Sequence, residues 1–216
     1  MKKTQKKILS KATQLFNRRG VSNVRLQDIA HEAGISAGNL SYHYPLKKDL
    51  MAAVLQLMAE QMKQASTTSL ALVEKEDYLS LIKDYLKFQI GYRFFYRDIL
   101  EVIALVPNAK NVFEEQMQHV QNFTKNSLYL AVGNGLVLPE PHEGHYEIFA
   151  RNIWGILNSW LAEREALGQE KVSLANIMMA LWEFHYPYLT KKGRSLFYIL
   201  KEQLPEMVEQ EMASPA

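Results

Sequence analysis

Apolar residues recur at helical spacing along most of the chain, and this periodicity restricts the possible folds more than any other feature. In the first such segment, Ile8, Leu9, Ala12, Leu15 and Phe16 follow the i, i+1, i+4, i+7, i+8 spacing of one helix face. Almost no segment alternates apolar and polar residues as a half-buried strand would. We therefore predict an all-α fold. The predicted helices lie at about 4–19, 26–33, 37–43, 47 to the high sixties, 77–92, 95–106, 108–132, 144–167, 172–190 and 194–210.

Glycine and proline residues mark the ends of several of these helices. Gly20 is placed to cap the C-terminus of the first helix, and Gly34 interrupts the pattern after the second. Pro45 ends the third helix, because the residue before a proline is pushed out of the helical region. Pro187 should kink or end the penultimate helix. The segment 133–144 holds three glycines and two prolines, which predicts a loop.

Positive charge is concentrated at the start of the chain. Residues 1–50 hold ten Lys and Arg against three Asp and Glu, whereas the rest holds fifteen against twenty. A basic first quarter on an acidic body suggests that the N-terminal part binds a polyanion. A merely solubilising basic end would give the same balance, so charge alone does not distinguish the two explanations.

The composition excludes several classes of protein. The chain has no cysteine, which removes disulfides, thiolate nucleophiles and zinc–sulfur sites. No apolar run reaches the roughly 18 residues needed to span a bilayer. The basic N-terminus leads into an amphipathic pattern rather than the apolar stretch of a signal peptide. We expect a soluble, cytoplasmic protein that has no membrane partner, no metal and no other cofactor.

Two short helices joined by a glycine-containing turn give the layout of a helix-turn-helix, whose second helix enters the DNA major groove. The turn is Ala33-Gly34-Ile35-Ser36. Gly34 can adopt the left-handed backbone conformation that such a turn needs. Ser36 offers a hydroxyl as the N-cap of the second helix.

One face of that second helix should point away from the protein. Leu40 and Tyr44 face inward, because they are spaced i and i+4. The outer face is left with Ala37, Asn39, Tyr42 and His43. Asparagine can pair bidentately with adenine, and histidine and tyrosine can donate hydrogen bonds to base acceptors or phosphate oxygens.

The stretch from Gly20 to Leu50, GVSNVRLQDIAHEAGISAGNLSYHYPLKKDL, resembles the DNA-binding signature of the tetracycline-repressor (TetR) family. The family pattern is roughly T-x-x-x-I-A-x-x-A-G-V-S-x-G-T-L-Y-x-H-F-x-x-K-x-x-L. The positions that match in identity or class are Ile29-Ala30, Ala33-Gly34-Ile35-Ser36, Gly38, Leu40, His43, Lys47 and Leu50. This match covers the first quarter of the chain, and the remainder resembles the family in being a run of helices of suitable total length.

The resemblance implies which residues contact DNA. Base or backbone contacts fall on Gln27, Ala37, Asn39, Ser41, Tyr42 and His43, and a phosphate contact falls on Lys47. Taken singly, His43 would more often be a half-buried histidine and Lys47 a solvated charge. With Arg25 and Ser36 added, the candidate DNA-binding set is Arg25, Gln27, Ser36, Ala37, Asn39, Ser41, Tyr42, His43 and Lys47.

Three positions depart from the family pattern. Arg25 stands where the family usually has a threonine that caps helix two and touches a phosphate, so Arg25 can bind phosphate by charge but the cap is lost. Asn39 replaces a threonine and should change the base preference. Ser41 replaces an aromatic residue that packs on the DNA backbone, and the neighbouring Tyr42 can take over that contact. These departures affect the operator sequence rather than the mode of binding.

The remainder of the chain supplies a candidate dimer interface. The helices at about 144–167 and 172–190 have wide apolar surfaces that need covering on more than one side. In the resembled family, late helices pair with their symmetry mates as a four-helix bundle and make a homodimer. The candidate interface residues are Tyr146, Ile153, Trp160, Leu174, Met178, Leu181 and Trp182. A thick core within one chain is the alternative.

The family's effector pocket lies among its middle helices, and here aromatic and apolar residues would line it. The candidates are Phe88, Tyr92, Phe95, Ile99, Phe113, Met117, Phe123, Trp154 and Leu157. Few charged residues fall on these faces, which suggests an apolar or aromatic small-molecule effector. The alternative is that these side chains form plain core.

The sequence as a whole predicts a ligand-responsive transcriptional repressor that binds a palindromic double-stranded operator as a homodimer and is released by its effector. Residues 1–48 would form the helix-turn-helix domain, a fourth helix at about 47–68 would connect the domains, and 69–216 would bind effector and dimerise. Helix four would be the lever between the two.

Three alternatives remain at this point. The chain could be a non-specific or architectural DNA-binding protein, or an interaction module that uses the helix-turn-helix as a scaffold. An all-helical enzyme is a weaker alternative, because the sequence has no H-E-x-x-H, Gly-rich phosphate loop or G-x-S-x-G motif. The nearest approach to a metal site is His142-Glu143-Gly144-His145 with Glu147 close by.

Overall fold

The computed structural model describes the backbone of residues 3–69, 75–168 and 174–212, and the side chains of 3–62, 82–168 and 174–204. These ranges are helical throughout apart from turns, loops and one isolated antiparallel bridge between Val137 and Leu189. The all-α prediction is therefore confirmed. The helices are α1 (Lys3–Arg19), α2 (Leu26–Glu32), α3 (Ala37–His43), α4 (Lys47–Ser69), α5 (Lys75–Gly91), α6 (Arg93–Arg97), α7 (Ile99–Leu105), α8 (Ala109–Gly133), α9 (His145–Ala166), α10 (Leu174–His185), a 3₁₀ turn (Tyr186–Tyr188) and α11 (Lys191–Met212).

The helix predicted at 95–106 is wrong in one respect, since the structure has two short helices there. Asp98 separates α6 from α7 with a backbone conformation (φ −105°, ψ 24°) outside the helical region. Its carboxylate accepts hydrogen bonds from the Val21 N–H and from Arg97. The prediction for Pro187 is confirmed, because α10 ends at His185 and the proline lies in the 3₁₀ turn that follows.

The chain divides into two compact units, residues 1–115 and 116–216. Helices α5, α6 and α7 therefore belong to the same unit as α1–α4. The division proposed from the sequence, at 64–69, falls where the side chains lie outside the described residues, and it stays a prediction. Among the described residues, no helix combines the length and apolar character that crossing a membrane requires.

The core of the first unit is built on the apolar face of α1. The five residues whose spacing predicts this face, Ile8, Leu9, Ala12, Leu15 and Phe16, are all buried. The Phe16 ring packs against Phe94 of α6, with ring centroids 5.4 Å apart. Burying one such side chain stabilises the fold by roughly 1.5–3 kcal/mol. This face therefore fixes α1 both to the short helices that follow it and to α6.

The second unit is held together by α9, α10 and α11. Leu138 N–H donates to the Tyr188 carbonyl at 2.8 Å, and Thr190 N–H donates to the Leu136 carbonyl at 3.0 Å. The start of α11 is therefore fixed on the loop that connects α8 to α9. Gly193 lies so close to this loop that a Cβ atom on it would clash with the Leu136 carbonyl oxygen.

The seven residues proposed as a dimer interface lie inside the second unit. In a single chain none of them is more than 9% exposed: Tyr146, Ile153, Trp160, Leu174, Met178, Leu181 and Trp182. These side chains therefore belong to the core of one chain and have little surface left to bury against a second copy. An interface on the same helices would have to use their exposed residues instead.

Candidate nucleic-acid interface

Helices α2 and α3 and the turn between them form the helix-turn-helix that the sequence predicts. Gly34 has a φ of +62°, in the left-handed region where a side chain would be strained. This conformation reverses the chain while Gly34 N–H donates to the His31 carbonyl and Ile35 N–H to the Ala30 carbonyl, both at 3.0 Å. The end of α2 is thus closed by its own turn.

Ser36 is the N-cap of α3, as its position predicts. Its hydroxyl oxygen accepts a hydrogen bond from the Asn39 N–H at 3.1 Å. An N-cap of this kind typically contributes about 1 kcal/mol to helix stability. Because the Ser36 hydroxyl is occupied in this way, its main role in the structure is to fix the start of α3.

The apolar side of α3 points into the protein. Leu40 is buried in the first unit, and Tyr44, one helical turn later, is also buried. Ala30 of α2 is buried too, and its small side chain allows α2 and α3 to approach closely. The orientation of α3 about its own axis is therefore set by packing, and its opposite side must face outward.

The outward side of α3 carries the hydrogen-bonding residues that the sequence predicts. Ala37, Asn39, Ser41 and Tyr42 are exposed and His43 is partly buried. Tyr42 is 85% exposed, and its ring meets His43 edge-on with centroids 5.3 Å apart. An α-helix with its side chains is about 10–12 Å in diameter, which fits the roughly 12 Å width of the DNA major groove.

The start of α2 carries two further candidates, Arg25 and Gln27, and both are exposed. An arginine side chain has no hydrogen-bond acceptor, and Arg25 makes no side-chain cap. The Asp28 carboxylate instead accepts a bond from the Arg25 N–H at 2.8 Å. Asp28 thus supplies the reciprocal bond of a capping box, which caps the Arg25 N–H.

Lys47, the candidate phosphate ligand at the start of α4, is occupied within the chain. Its Nζ donates to the Val21 carbonyl at 2.5 Å, and the side chain is partly buried. Burial lowers the pKa of Lys47, and the negative charge of Glu101 acts against that shift. The structure therefore places Lys47 beside the turn between α1 and α2 rather than on an open surface.

The residues that fix this turn were missed by sequence reasoning. The Asp98 carboxylate accepts a bond from the Val21 N–H at 2.9 Å, and Glu101 accepts one from the Ser22 hydroxyl at 2.7 Å. Arg97 donates to Asp98 at 2.7 Å and to the Phe16 carbonyl at 2.9 Å. No local pattern could reveal the contacts with Val21, Ser22 and Phe16, because the partners in each are more than 75 residues apart in sequence.

The candidate effector residues fall in both compact units. In the first unit, Phe88 packs on Tyr92 with centroids 5.1 Å apart, and Phe95 packs on Phe113 with centroids 6.2 Å apart. Ile99, in the same unit, is partly buried. The remaining candidates, Met117, Phe123, Trp154 and Leu157, lie in the second unit. Trp154 and Leu157 are buried there, and Met117 and Phe123 are partly buried.

Neutral polar groups lie among these aromatic rings, and the sequence analysis did not select them. Gln89 is fully buried and its Nε2 reaches the Tyr85 hydroxyl at 3.5 Å. Tyr96 is also bonded to Tyr85, and burial raises the pKa of both phenols. The Tyr92 hydroxyl donates to Gln61 Oε1 at 2.8 Å. The interior of the first unit can therefore offer hydrogen bonds as well as apolar surface.

The histidine pair that suggested a metal site is not part of a larger cluster of ligands. The rings of His142 and His145 are 5.0 Å apart. Glu147, the nearby carboxylate, instead accepts a bond from Lys125 Nζ at 2.7 Å. In the part of the chain that the structure describes, no group of three or more His, Cys, Asp or Glu side chains is arranged to hold a metal ion.

Two family models match consecutive parts of the chain. Residues 8–54 match the model described as bacterial regulatory proteins of the tetR family, and residues 55–197 match the TetR model described as a bacterial transcriptional repressor. Together they cover the helix-turn-helix and most of the helices that follow it.

Known proteins agree with this match. The transcriptional regulator CymR of Pseudomonas putida is 32% identical over 74 residues, which are 34% of this chain and 36% of CymR. The chain spans between 36% and 56% of the length of the curated relatives it matches. A TetR-family regulator from Marinobacter aquaeolei VT8 has the same fold, with a TM-score of 0.79 at 24% identity over 94% of this chain and 99% of that one.

A gamma-butyrolactone receptor also shares the fold, with a TM-score of 0.70 at 18% identity over 94% of this chain and 97% of the receptor. The curated relatives that match are all named as transcriptional regulators. Proteins of this kind bind DNA and are not enzymes. The chain belongs to the TetR family of bacterial transcriptional regulators.

Proposed function

We propose that this protein is a ligand-responsive repressor, which binds a palindromic operator as a homodimer and is released from it by a small-molecule effector. The observation that supports this proposal best is the orientation of α3. Its apolar residues Leu40 and Tyr44 are buried while Asn39, Ser41 and Tyr42 are exposed together on the opposite side. A helix fixed in this way can present hydrogen-bonding side chains to base edges without rearranging.

Asn39 is the proposed base-reading residue. It lies in the first turn of α3, its backbone is fixed by the Ser36 cap, and its side chain is exposed. An asparagine amide can form a bidentate pair with adenine, in which it donates to N7 and accepts from the exocyclic N6 amine. Tyr42 would contact the neighbouring base or phosphate, and the Arg25 guanidinium would bind a phosphate by charge.

Selection of bound duplexes from a random pool tests the DNA-binding part of the proposal. On the selected operator, we expect Asn39→Ala to lower affinity by about 1–3 kcal/mol and to relax the preference at one position. Asn126→Ala, at an exposed asparagine of α8, is the matched control and should leave affinity unchanged. An architectural DNA-binding protein would instead bind all duplexes alike, with the same steep salt dependence for each.

The exposed side of α9 is the proposed dimer face. Ile148 is 57% exposed, and it is followed by the exposed residues Asn152, Gly155, Ser159 and Ala162. These positions share one helix face, because they are spaced i, i+4, i+7, i+11 and i+14. Small side chains at the centre of the face would let the same helix of a second copy approach closely. An operator with two half-sites about 34–36 Å apart would require a two-fold dimer.

A charge placed at the centre of this face tests the dimer. We expect Ser159→Arg to shift the protein towards monomer in sedimentation equilibrium and to weaken binding to the two-half-site operator. Asn126→Arg adds the same charge at an exposed position of α8 and should leave the dimer intact. Unchanged mass for Ser159→Arg would exclude this face as the interface.

The proposed effector is an aromatic or apolar molecule that carries a neutral hydrogen-bonding group. The Tyr96 ring packs on Phe95, and both Tyr96 and Gln89 are bonded to Tyr85. The uncharged groups of these three residues can bind a carbonyl or hydroxyl. A charged ligand would need a buried countercharge.

Four molecules of similar size test the effector class by thermal shift: ethylbenzene, acetophenone, benzoate and 1-phenylethylamine. We expect acetophenone to raise the melting temperature most and to weaken operator binding. Gln89→Leu should remove the advantage of acetophenone over ethylbenzene, whereas Gln56→Leu, at an exposed glutamine of α4, should not. Stabilisation by the two charged compounds alone would contradict the proposed class.

A further inference from the structure

The turn between α1 and α2, residues 20–23, connects the candidate phosphate ligand Lys47 to helix α7. Both backbone polar groups of Val21 are used in this connection. Its carbonyl accepts the bond from Lys47 Nζ, and its N–H donates to Asp98 Oδ2 at 2.9 Å. The next residue, Ser22, donates its hydroxyl to Glu101 at 2.7 Å. Lys47 is therefore bound to a turn that is itself bound to the start of α7.

Asp98 is fixed strongly enough to hold the turn in place. Arg97 donates to both of its carboxylate oxygens, at 2.7 and 3.0 Å, and also to the Phe16 carbonyl at 2.9 Å. Both side chains of this ion pair are mostly buried, with 23% of Arg97 and 13% of Asp98 exposed. Charge-assisted hydrogen bonds of this length are stronger than neutral ones. The position of Val21 thus follows the position of Asp98.

Glu101 adds an electrostatic effect to this geometry. Its negative charge interacts favourably with Lys47, and it would repel a DNA phosphate that approached the same ammonium group. A phosphate must therefore compete both with the Val21 carbonyl and with the charge of Glu101 to bind Lys47.

We propose that Asp98 and Glu101 are positioning residues for DNA binding, which hold Lys47 on the turn and away from the phosphate backbone. Lys47 becomes a phosphate ligand when α7 moves and Glu101 leaves the turn. This inference rests on the proposed DNA-binding function. The inference goes beyond that function because it assigns an influence on a DNA contact to two residues of the α6–α7 region, which lies outside the helix-turn-helix.

A double-mutant cycle of Lys47→Ala and Glu101→Gln tests the proposal. The readout is affinity for the selected operator over a series of salt concentrations. We expect Glu101→Gln to raise affinity about two- to fivefold, the range for an exposed charge interaction. In the Glu101→Gln background, Lys47→Ala should reduce operator affinity by a larger factor than it does in the wild type. It should also reduce the slope of the logarithm of the binding constant against the logarithm of salt concentration by about 0.9, the value for one phosphate contact.

Glu115→Gln is the matched control, because it removes the same charge from an exposed position in the first unit. It should not change the cost of Lys47→Ala. Ser22→Ala provides a second test, since it removes the hydrogen bond that holds Glu101 on the turn but keeps the charges of Glu101 and Lys47. It should also increase the loss of operator affinity that Lys47→Ala causes. Far-ultraviolet circular dichroism checks that each variant is folded.

The possible outcomes separate the two proposals. If Lys47→Ala costs the same in every background while the operator is still bound, the positioning role is overturned and the repressor function is not. An effect of Glu101→Gln no larger than that of Glu115→Gln also overturns the positioning role. If no variant, the wild type included, prefers any duplex over scrambled competitor, the DNA-binding function fails and the inference fails with it.

Discussion

Asn17, at the end of α1, bridges two other helices through its side-chain amide. Its Nδ2 donates to the Gly91 carbonyl at 2.7 Å, and its Oδ1 accepts from the Phe94 N–H at 3.1 Å. Gly91 ends α5 and Phe94 lies in the first turn of α6, so both backbone groups lack partners within their own helices. The Asn17 side chain therefore satisfies one orphan acceptor and one orphan donor at the break between α5 and α6.

The cost of removing this bridge follows from its two bonds. Each hydrogen bond contributes about 0.5–1.5 kcal/mol net, and a buried group left without a partner costs about 1–3 kcal/mol. Phe94 is fully buried, whereas the bond to Gly91 is exposed to water, which can replace it. We therefore expect Asn17→Ala to lower the free energy of unfolding by about 2–3 kcal/mol. For a chain of this size, about 1 kcal/mol corresponds to 2–4 °C in melting temperature.

Thermal and urea unfolding followed by circular dichroism would measure this difference. Asn111→Ala is the matched control, because the Asn111 amide donates to the exposed Asn108 side chain at 3.0 Å. We expect the control to change the free energy of unfolding by less than about 0.5 kcal/mol, as surface substitutions usually do. Equal effects of the two substitutions would show that the Asn17 bridge does not stabilise the junction of α1 with α6.

Two further predictions concern the second unit. Gly193→Ala should destabilise the protein although alanine is the better helix former by about 1 kcal/mol, because the new Cβ would clash with the Leu136 carbonyl oxygen. The melting temperature should fall for Gly193→Ala and not for Gly133→Ala, where a new Cβ would meet nothing within 4 Å. His185 should make the fold sensitive to mild acid: burial lowers its pKa from the usual 6.5, while its Nδ1–H donates to the Leu181 carbonyl. Since the folded pKa is depressed, the stabilisation is present above about pH 6.5 and is lost as the pH falls below it. The melting temperature of the wild type should therefore fall more between pH 7 and pH 5 than that of His185→Gln, and parallel pH profiles would show that His185 does not cause the sensitivity.

Sequence periodicity was sufficient to locate most of the helices and the outer face of α3. Residues such as Leu40 and Tyr44 are one turn apart, so their common burial is a local property that spacing reveals. The turn at Gly34 could be predicted for the same reason, since its left-handed conformation depends on a single residue. Each of these features is decided within about ten residues of chain.

Contacts between distant segments could not be predicted in this way. The break at Asp98 depends on Val21, which lies 77 positions earlier in the sequence. Periodicity also cannot tell whether an apolar face is covered by the same chain or by another one. Trp160 and Trp182 illustrate this, because their helices are apolar on several sides and yet both side chains are buried within one chain.

The kind of contact that joins α1 to the α6–α7 region bears on how the protein could be controlled. Val21, Ser22 and Asn17 are bound there by hydrogen bonds of 2.7–3.1 Å, beside the packing of Phe16 on Phe94. Such bonds weaken steeply with distance and angle, whereas apolar contacts tolerate small slides between surfaces. A displacement of α6–α7 by about an ångström would therefore break some of these bonds rather than stretch all of them. Because Lys47, the proposed phosphate ligand, is bound to the same turn, we expect such a displacement to alter DNA affinity in discrete steps. In this proposal α6–α7 would act as a lever together with helix α4.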